Sequence, residues 1–208
     1  MSDKIGVIIG YSGHAYVVAE AAREMGIELR YYSDKKKNIK NPFELSFLGD
    51  ENDEGFQGWN GGFNFILGIG DNQIRERIAE RISEKEESIL TVIHPSASVS
   101  KAVEIGIGVF ISRNASVNPL SKIGKYSIIN TNAVVEHECI LGTAVHIAPG
   151  AVLAGNVEVG DRSFIGANSV VKQGITIGKN VIVGAGSVVL QNIPDNVIIA
   201  GNPSRQIR

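Results

Sequence analysis

Two histidines nine residues apart, His137 and His146, stand in the stretch Glu136-His137-Glu138-Cys139-Ile140-Leu141-Gly142-Thr143-Ala144-Val145-His146. An imidazole, with an unperturbed pKa of ~6.5, takes a proton from an amine or a hydroxyl near neutrality. A neighbouring carboxylate, here Glu138, is expected to raise its basicity and fix its tautomer. His137 and Glu138 are therefore the candidate base and its activator. The competing reading is two solvated histidines on a surface. His14 and His94 carry less weight, and His94, just before Pro95, reads as structural. A zinc site built on three imidazoles is short of one ligand, since His137 and His146 are the only histidines after Pro95.

The elements that must position these groups are set by a repeat. From Ile93 to Val189 every sixth residue is Ile, Val or Leu, without a slip. Four residues after each anchor comes a small or β-branched residue, as at Ala133, Cys139, Val145 and Ala151. A helix needs apolar residues near every 3.6 positions, which this pattern does not supply. A period of eighteen lies on top: Gly106, Gly124, Gly142, Gly160 and Gly178, and a second column of Asn114, Asn132, Gly150, Asn168 and Gly186. Asn and Gly most readily take positive φ, so the second column predicts a repeated tight turn. Three hexads per lap make a three-sided parallel prism of about six coils, with strands stacked ~4.8 Å apart.

On that prism His137, two residues after anchor Val135, lies outside, with Glu138 at the adjacent corner. Cys139 falls in the inward slot and reads as core, not as a nucleophile. Half a coil separates His137 from His146, so in one chain they face roughly opposite sides. They share a site only if a second copy brings its own His146 alongside. The spacing thus predicts a site between subunits, with a homotrimer of parallel prisms as the simplest closed ring.

Before about Thr91 the texture changes. Residues 5–9 read as a strand ending in Gly10-Tyr11-Ser12-Gly13-His14, and residues 15–25 as a helix. Residues 27–32 read as a second strand ending at Asp34, and residues 63–69 as a third. Gly70-Asp71-Asn72 and an amphipathic helix to about Glu87 follow. The alternation predicts a small Rossmann-like α/β unit, with irregular structure over 35–62. A glycine turn before a helix N-terminus is a natural phosphate cradle. Its spacing is not G-x-G-x-x-G, which argues against a redox dinucleotide.

A net charge of −2 gives no footprint for nucleic acid or an anionic membrane, and Lys35-Lys36-Lys37 reads as a solvated loop. One cysteine excludes an internal disulfide. The start, Met1-Ser2-Asp3-Lys4, lacks the features of a signal peptide, and no run of about 18 apolar residues is present. The expectation is a soluble, cytoplasmic protein.

The recurring [LIV]-G-x-x-[STAV]-x pattern and the segment Gly201-Asn202-Pro203-Ser204 resemble the hexapeptide-repeat acyltransferases, whose coils wind left-handed. H-E-C-x-x-G-x-x-x-H together with G-x-S-G-H is similar to the sugar acetyltransferases of that group, which act on bacillosamine, perosamine or sialic acid. The resemblance covers nearly the whole chain, although residues 35–62 exceed the shortest members. It implies an α/β nucleotide-sugar-binding domain over 1–91 and a left-handed β-helix acyltransferase domain over 92–208. It also implies acetyl-CoA as donor, with no metal and no covalent enzyme intermediate. His137 would be the base and Glu138 its activator. His146, Gly155, Ala167 and Ala185 would meet the coenzyme. Ser12, Gly13, His14, Asp34, Gly70, Asn72 and Asn130 would line the sugar side. The implied reaction is N-acetylation of a nucleotide-linked 4-amino-4,6-dideoxy sugar. O-acetylation of sialic acid or another glycan hydroxyl, and a non-catalytic scaffold, remain as alternatives.

Overall fold

The computed structural model describes residues 5–59 and 61–207. The reading of Met1 to Lys4 and the final Arg208 lie outside the described residues. Each hexad supplies one two-residue strand, and strands eighteen residues apart pair in parallel. Ser116 and Val117 align with Val134 and Val135, which align in turn with Val152 and Leu153. Three faces result. The first carries six strands, from Ser98–Val99 to Val188–Val189; the second carries five, from Glu104–Ile105 to Thr176–Ile177. The third carries eight, from Val92–Ile93 to Arg205–Gln206, the last added antiparallel.

The anchors fill the axis. Ile111, Ile129, Val135, Ile147, Leu153 and Ile165 are wholly buried, each worth about 2 kcal/mol of burial. The small residues four positions on are buried too, and where they are serines they solve a polar problem. Ser121 Oγ donates to Glu136 O at 2.8 Å and accepts from Cys139 N at 3.2 Å. Cys139 occupies the same slot one coil on, its Sγ directed to Ala154 O at 3.3 Å. Burial raises its thiol pKa. Cys139→Ser is therefore expected to leave activity within about twofold, and the native thiol to resist iodoacetamide until the chain is denatured.

The turn column takes the expected geometry: Asn114, Asn132 and Asn168 have φ of 56°, and Gly150 and Gly186 have 69° and 68°. The other two corners turn through left-handed residues as well. One row is Leu120, Glu138, Asn156 and Gly174, and the other is Gly108, Tyr126, Ala144, Arg162 and Asn180. These rows were not legible as turns, because their side chains share no chemistry. The Gly124 column has a different cause: a Cβ there would lie 2.2 Å from Gly142 O in the next coil.

The N-terminal elements are β1 (Gly6–Ile9), α1 (Gly13–Glu24), β2 (Leu29–Ser33), β3 (Ser46–Phe47), β4 (Asn64–Leu67), α2 (Asn72–Glu84) and β5 (Ser88–Ile89). They form a parallel sheet ordered β3-β2-β1-β4-β5. Two strands are additional to the sequence expectation. Both β3 and β5 are two-residue edge strands, too short to show alternation. Chain order reverses beside β1, which places the switch point between β1 and β4, where open α/β sheets receive ligands at their strand C-termini. The loops there carry Gly10 to His14 and Gly68 to Asn72. Gly68 must lack a side chain, since a Cβ would stand 2.6 Å from Gly10 O.

This unit seats on the third face of the prism. Ala15, Val18 and Ala22 of α1 share one core cluster with Val92, Phe110 and Ile128. Ile78 and Ile82 of α2 share another with Tyr126 and Ala144. Polar ties surround the seam: Arg113 binds Glu24 at 2.9 Å, His94 Nε2 binds the same carboxylate at 2.9 Å, and Arg162 binds Glu76 at 3.1 Å. His94 is thus a structural residue of the junction.

Candidate active site

His137 and Glu138 sit at the corner between the first and second faces. That corner lies opposite the third face, which carries the N-terminal unit. Nδ1 of His137 lies 2.9 Å from Glu138 Oε2. A carboxylate only accepts, so Nδ1 carries the proton and Nε2 is left as the lone-pair nitrogen. About half of the His137 side chain is exposed, so the ring is reachable from solvent. Glu138 reaches round because its φ of 60° turns the corner there. One coil on, Gly155 leaves the ring its space: a Cβ at that position would lie 2.5 Å from Cε1 and Nε2 of His137.

The residues expected on the sugar side collect on the third face, around the switch point. His146 projects from its strand towards the N-terminal unit and is nearly buried. Its Nδ1 lies 3.3 Å from Gly70 O and its Nε2 3.1 Å from Asn130 Nδ2. Asn130 Oδ1 accepts from Thr131 N, which sets that amide's orientation. His146 is therefore held as the neutral Nδ1–H tautomer, its edge against Phe164. The His14 ring lies 6.0 Å from that of His146 and 5.7 Å from Phe110, and its buried Nε2 has no partner. Ser12 caps α1 without a side-chain bond. Gly13 is open, with nothing within 4 Å of an added Cβ. Asp34, just beyond β2, accepts from Tyr11 N at 3.2 Å and Asn38 Nδ2 at 2.9 Å.

Asn72 differs from its neighbours. Its amide donates to Arg162 O and Ser163 O, and its oxygen accepts from Arg75 Nη2. Its side chain is spent on the prism. Beside it a cleft of roughly 520 Å³ is lined by Gly70, Asp71, Gln73, Arg162, Phe164 and Ile182, among others. Ala167 and Ala185 lie on the corner between the third and first faces, away from Gly155. Sequence reasoning missed Arg75 and Phe164, because an arginine within an amphipathic helix and an aromatic within a repeat carry no motif. Among the described residues no three His, Cys, Asp or Glu side chains converge to hold a metal.

Burial, and then the Arg75 charge, push the pKa of His14 down to about 4; the same two causes push His146 down to about 3, with His14 adding to them. The unfolded chain protonates both near ~6.5 and so binds more protons below that pH. Their contribution to stability is complete above ~6.5 and is lost as pH falls towards 4, by several kcal/mol. Denaturant midpoints at about pH 7, 5.5 and 4.5 should fall accordingly, and His14→Gln should flatten the slope.

A parallel β-helix of hexads with a half-exposed His–Glu pair at one corner defines a hexapeptide-repeat acyltransferase. The profile of the PglD N-terminal domain matches residues 7–82. Those of the bacterial transferase hexapeptide and of the succinyl-transferase hexapeptide repeat match residues 120–155 and 156–191. A mutant of perosamine N-acetyltransferase from Caulobacter crescentus, in complex with CoA and GDP-perosamine, is similar over 100% of this chain and 98% of its own. Its identity is 35% and its TM-score 0.89. The acetyltransferase domain of PglB from Neisseria gonorrhoeae FA1090, in complex with acetyl coenzyme A, is 32% identical with a TM-score of 0.90, over 99% of this chain and 100% of that one. UDP-N-acetylbacillosamine N-acetyltransferase of Bacillus subtilis (strain 168) is 43% identical over 47 residues, 23% of this chain and 22% of that protein. This chain belongs to the family of PglD-type hexapeptide acetyltransferases.

Proposed function

We propose that the protein transfers an acetyl group from acetyl-CoA to the amino group of a nucleotide-linked 4-amino-4,6-dideoxy sugar. The observation that carries this reading is the His137–Glu138 pair, in which Nδ1 faces the carboxylate and Nε2 is left as the lone-pair nitrogen of a half-exposed ring. The sugar amine attacks the thioester carbonyl while Nε2 of His137 takes the proton from the attacking nitrogen. The C–S bond then breaks and the sulfur leaves as CoA, taking the proton back. Glu138 holds the ring and stabilises the imidazolium. Cys139 is excluded as a nucleophile by its place in the core.

The switch-point loops support a nucleotide sugar. The α1 N-terminus, uncapped by Ser12, presents amides and a favourable dipole to a phosphate. Asp34 stands at the end of the next strand, where an acid meets a ribose in such folds. Ser12, Gly13, His14, Asp34, Gly70 and Asn130 form this half-site in our reading, with Asn72 setting the loop. Residues 1–91 serve the nucleotide sugar and residues 92–208 the transfer. The sugar-side set and His137 occupy opposite sides of one chain, so a site needs both from different copies. Outward valines at 134, 152, 170 and 188 on the first face offer an apolar surface for that contact. The reading is a homotrimer with acetyl-CoA lying between protomers, past Gly155 of one and past Ala167, Ala185 and His146 of another. No described helix is long and apolar enough to cross a membrane, and a reduced buried thiol fits the cytoplasm.

The test is thiol release from acetyl-CoA with a panel of UDP- and GDP-linked 4-amino sugars, and with free sialic acid as the hydroxyl acceptor. Turnover confined to the amines supports the proposal, and turnover only of sialic acid replaces it with O-acetylation.

A further inference from the structure

Arg75, in the first turn of α2, is the largest wholly buried side chain of the described residues. Its five N–H groups all meet oxygen. Nε donates to Tyr126 O at 2.7 Å. Nη1 donates to Ile69 O at 3.2 Å and Gly70 O at 2.9 Å. Nη2 donates to Asn72 Oδ1 at 2.8 Å and Ala144 O at 3.0 Å. Every acceptor is neutral, and among the described residues no carboxylate pairs with the guanidinium. The acids of the same turn are committed elsewhere: Asp71 caps Ile74 N at 2.9 Å, and Glu76 pairs with Arg162.

The acceptors fall into two groups. Tyr126 and Ala144 are left-handed corner residues one coil apart. Their amides bind the preceding coil, donating to Ile107 O and Lys125 O, while their carbonyls go to Arg75. Asn72 continues the row to Arg162 O, one coil further. The other acceptors, Ile69, Gly70 and Asn72, belong to the loop at the switch point.

We infer that Arg75 is the positioning residue of the sugar-side pocket: its buried guanidinium clasps the 69–72 loop to the prism corner and places behind it a positive charge that is hydrogen-bonded only to neutral oxygens. The inference rests on the nucleotide-sugar reading of that pocket. In a trans peptide the N–H points opposite to the carbonyl. With the carbonyls of Ile69 and Gly70 drawn onto the guanidinium, the amides of Gly70 and Asp71 point away from it. Two successive amides in front of a buried cation suit a diphosphate. A lysine carries a charge but brings its donors to one point, and cannot reproduce the planar fork.

The experiment compares Arg75→Lys and Arg75→Met with the wild type. It measures binding of UDP and GDP at two ionic strengths, KM for the amino sugar and for acetyl-CoA, kcat, and Tm. The lysine variant is expected to raise the sugar KM about tenfold through loss of the fork, with the acetyl-CoA KM unchanged. The methionine variant is expected to weaken nucleotide binding further and to reduce its salt dependence. If the methionine variant does not fold, the lysine variant decides. Unchanged sugar KM and nucleotide affinity in a folded variant overturn the inference. So does a loss shared equally by both substrates' KM, which a general structural defect would give. Nucleotide binding is read apart from turnover, so a wild type that binds UDP or GDP but acetylates no amino sugar counts against the reaction and leaves Arg75 still judged by affinity. A wild type that binds neither nucleotide overturns both.

Discussion

His137→Ala is expected to lower kcat/KM for the amino sugar by about three orders of magnitude, or ~4 kcal/mol of transition-state stabilisation. The side chain is half exposed and its one hydrogen bond runs to an exposed carboxylate. Removing it opens no cavity, so Tm should stay within about a degree or two. The loss should appear in kcat, because the ring meets the amine as its proton departs, and coenzyme affinity should hold. Gly155→Ala gives an independent arm. The added methyl would stand 2.5 Å from the ring, so the base stays but must move, and a 1 Å displacement costs about a hundredfold. Steady-state kinetics with circular dichroism controls checks both. Full activity in His137→Ala would place the base elsewhere.

Mixing two inactive variants should restore activity, the second large effect. His137→Ala lacks the base but keeps the sugar-side loops. Gly13→Glu spoils those loops by setting a carboxylate where the helix N-terminus would take a phosphate. Its fold should survive, since an added Cβ there meets nothing within 4 Å and an acid suits the first turn of a helix. In one chain the two proposed half-sites lie on opposite sides of the prism, and on the proposed trimer reading each complete site draws on two protomers. Random assembly of equal amounts then leaves about a quarter of the sites with both wild-type halves. Co-purified mixed oligomers should show roughly a quarter of wild-type activity, against almost none for either parent. A mixture as inactive as its parents would mean that one chain supplies the whole site, and the trimer reading would fail with it.

Much of this was legible from residue types alone. The three-sided lap of the prism follows from unbroken aliphatic spacing at six, because a slip of one residue would put an anchor in water and a polar group at the axis. Val135 inside, His137 outside and Cys139 inside follow from the same count, as does the separation of His137 from His146. The Asn and Gly column announced its turns because those two residues tolerate positive φ best. The α/β unit was visible as strand and helix alternation, with boundaries off by at most three residues.

What only the tertiary structure decided was which surface the N-terminal unit covers, and hence what each exposed group becomes. The anchors do not distinguish the three outward faces, since all three bury the same kind of residue. The residues just before them do differ, Val92, Phe110 and Ile128 on the third face against Glu104, Lys122 and Glu158 on the second, but an apolar outward row does not say what covers it. Docking on the third face turns His146 from a surface imidazole into a buried neutral one, and leaves His137 open on the far corner. It also gives Arg75 its partners, four backbone carbonyls from three separate segments and the side-chain oxygen of Asn72. A backbone carbonyl has no residue type to read, so a cation held mainly by such oxygens left no trace in the sequence.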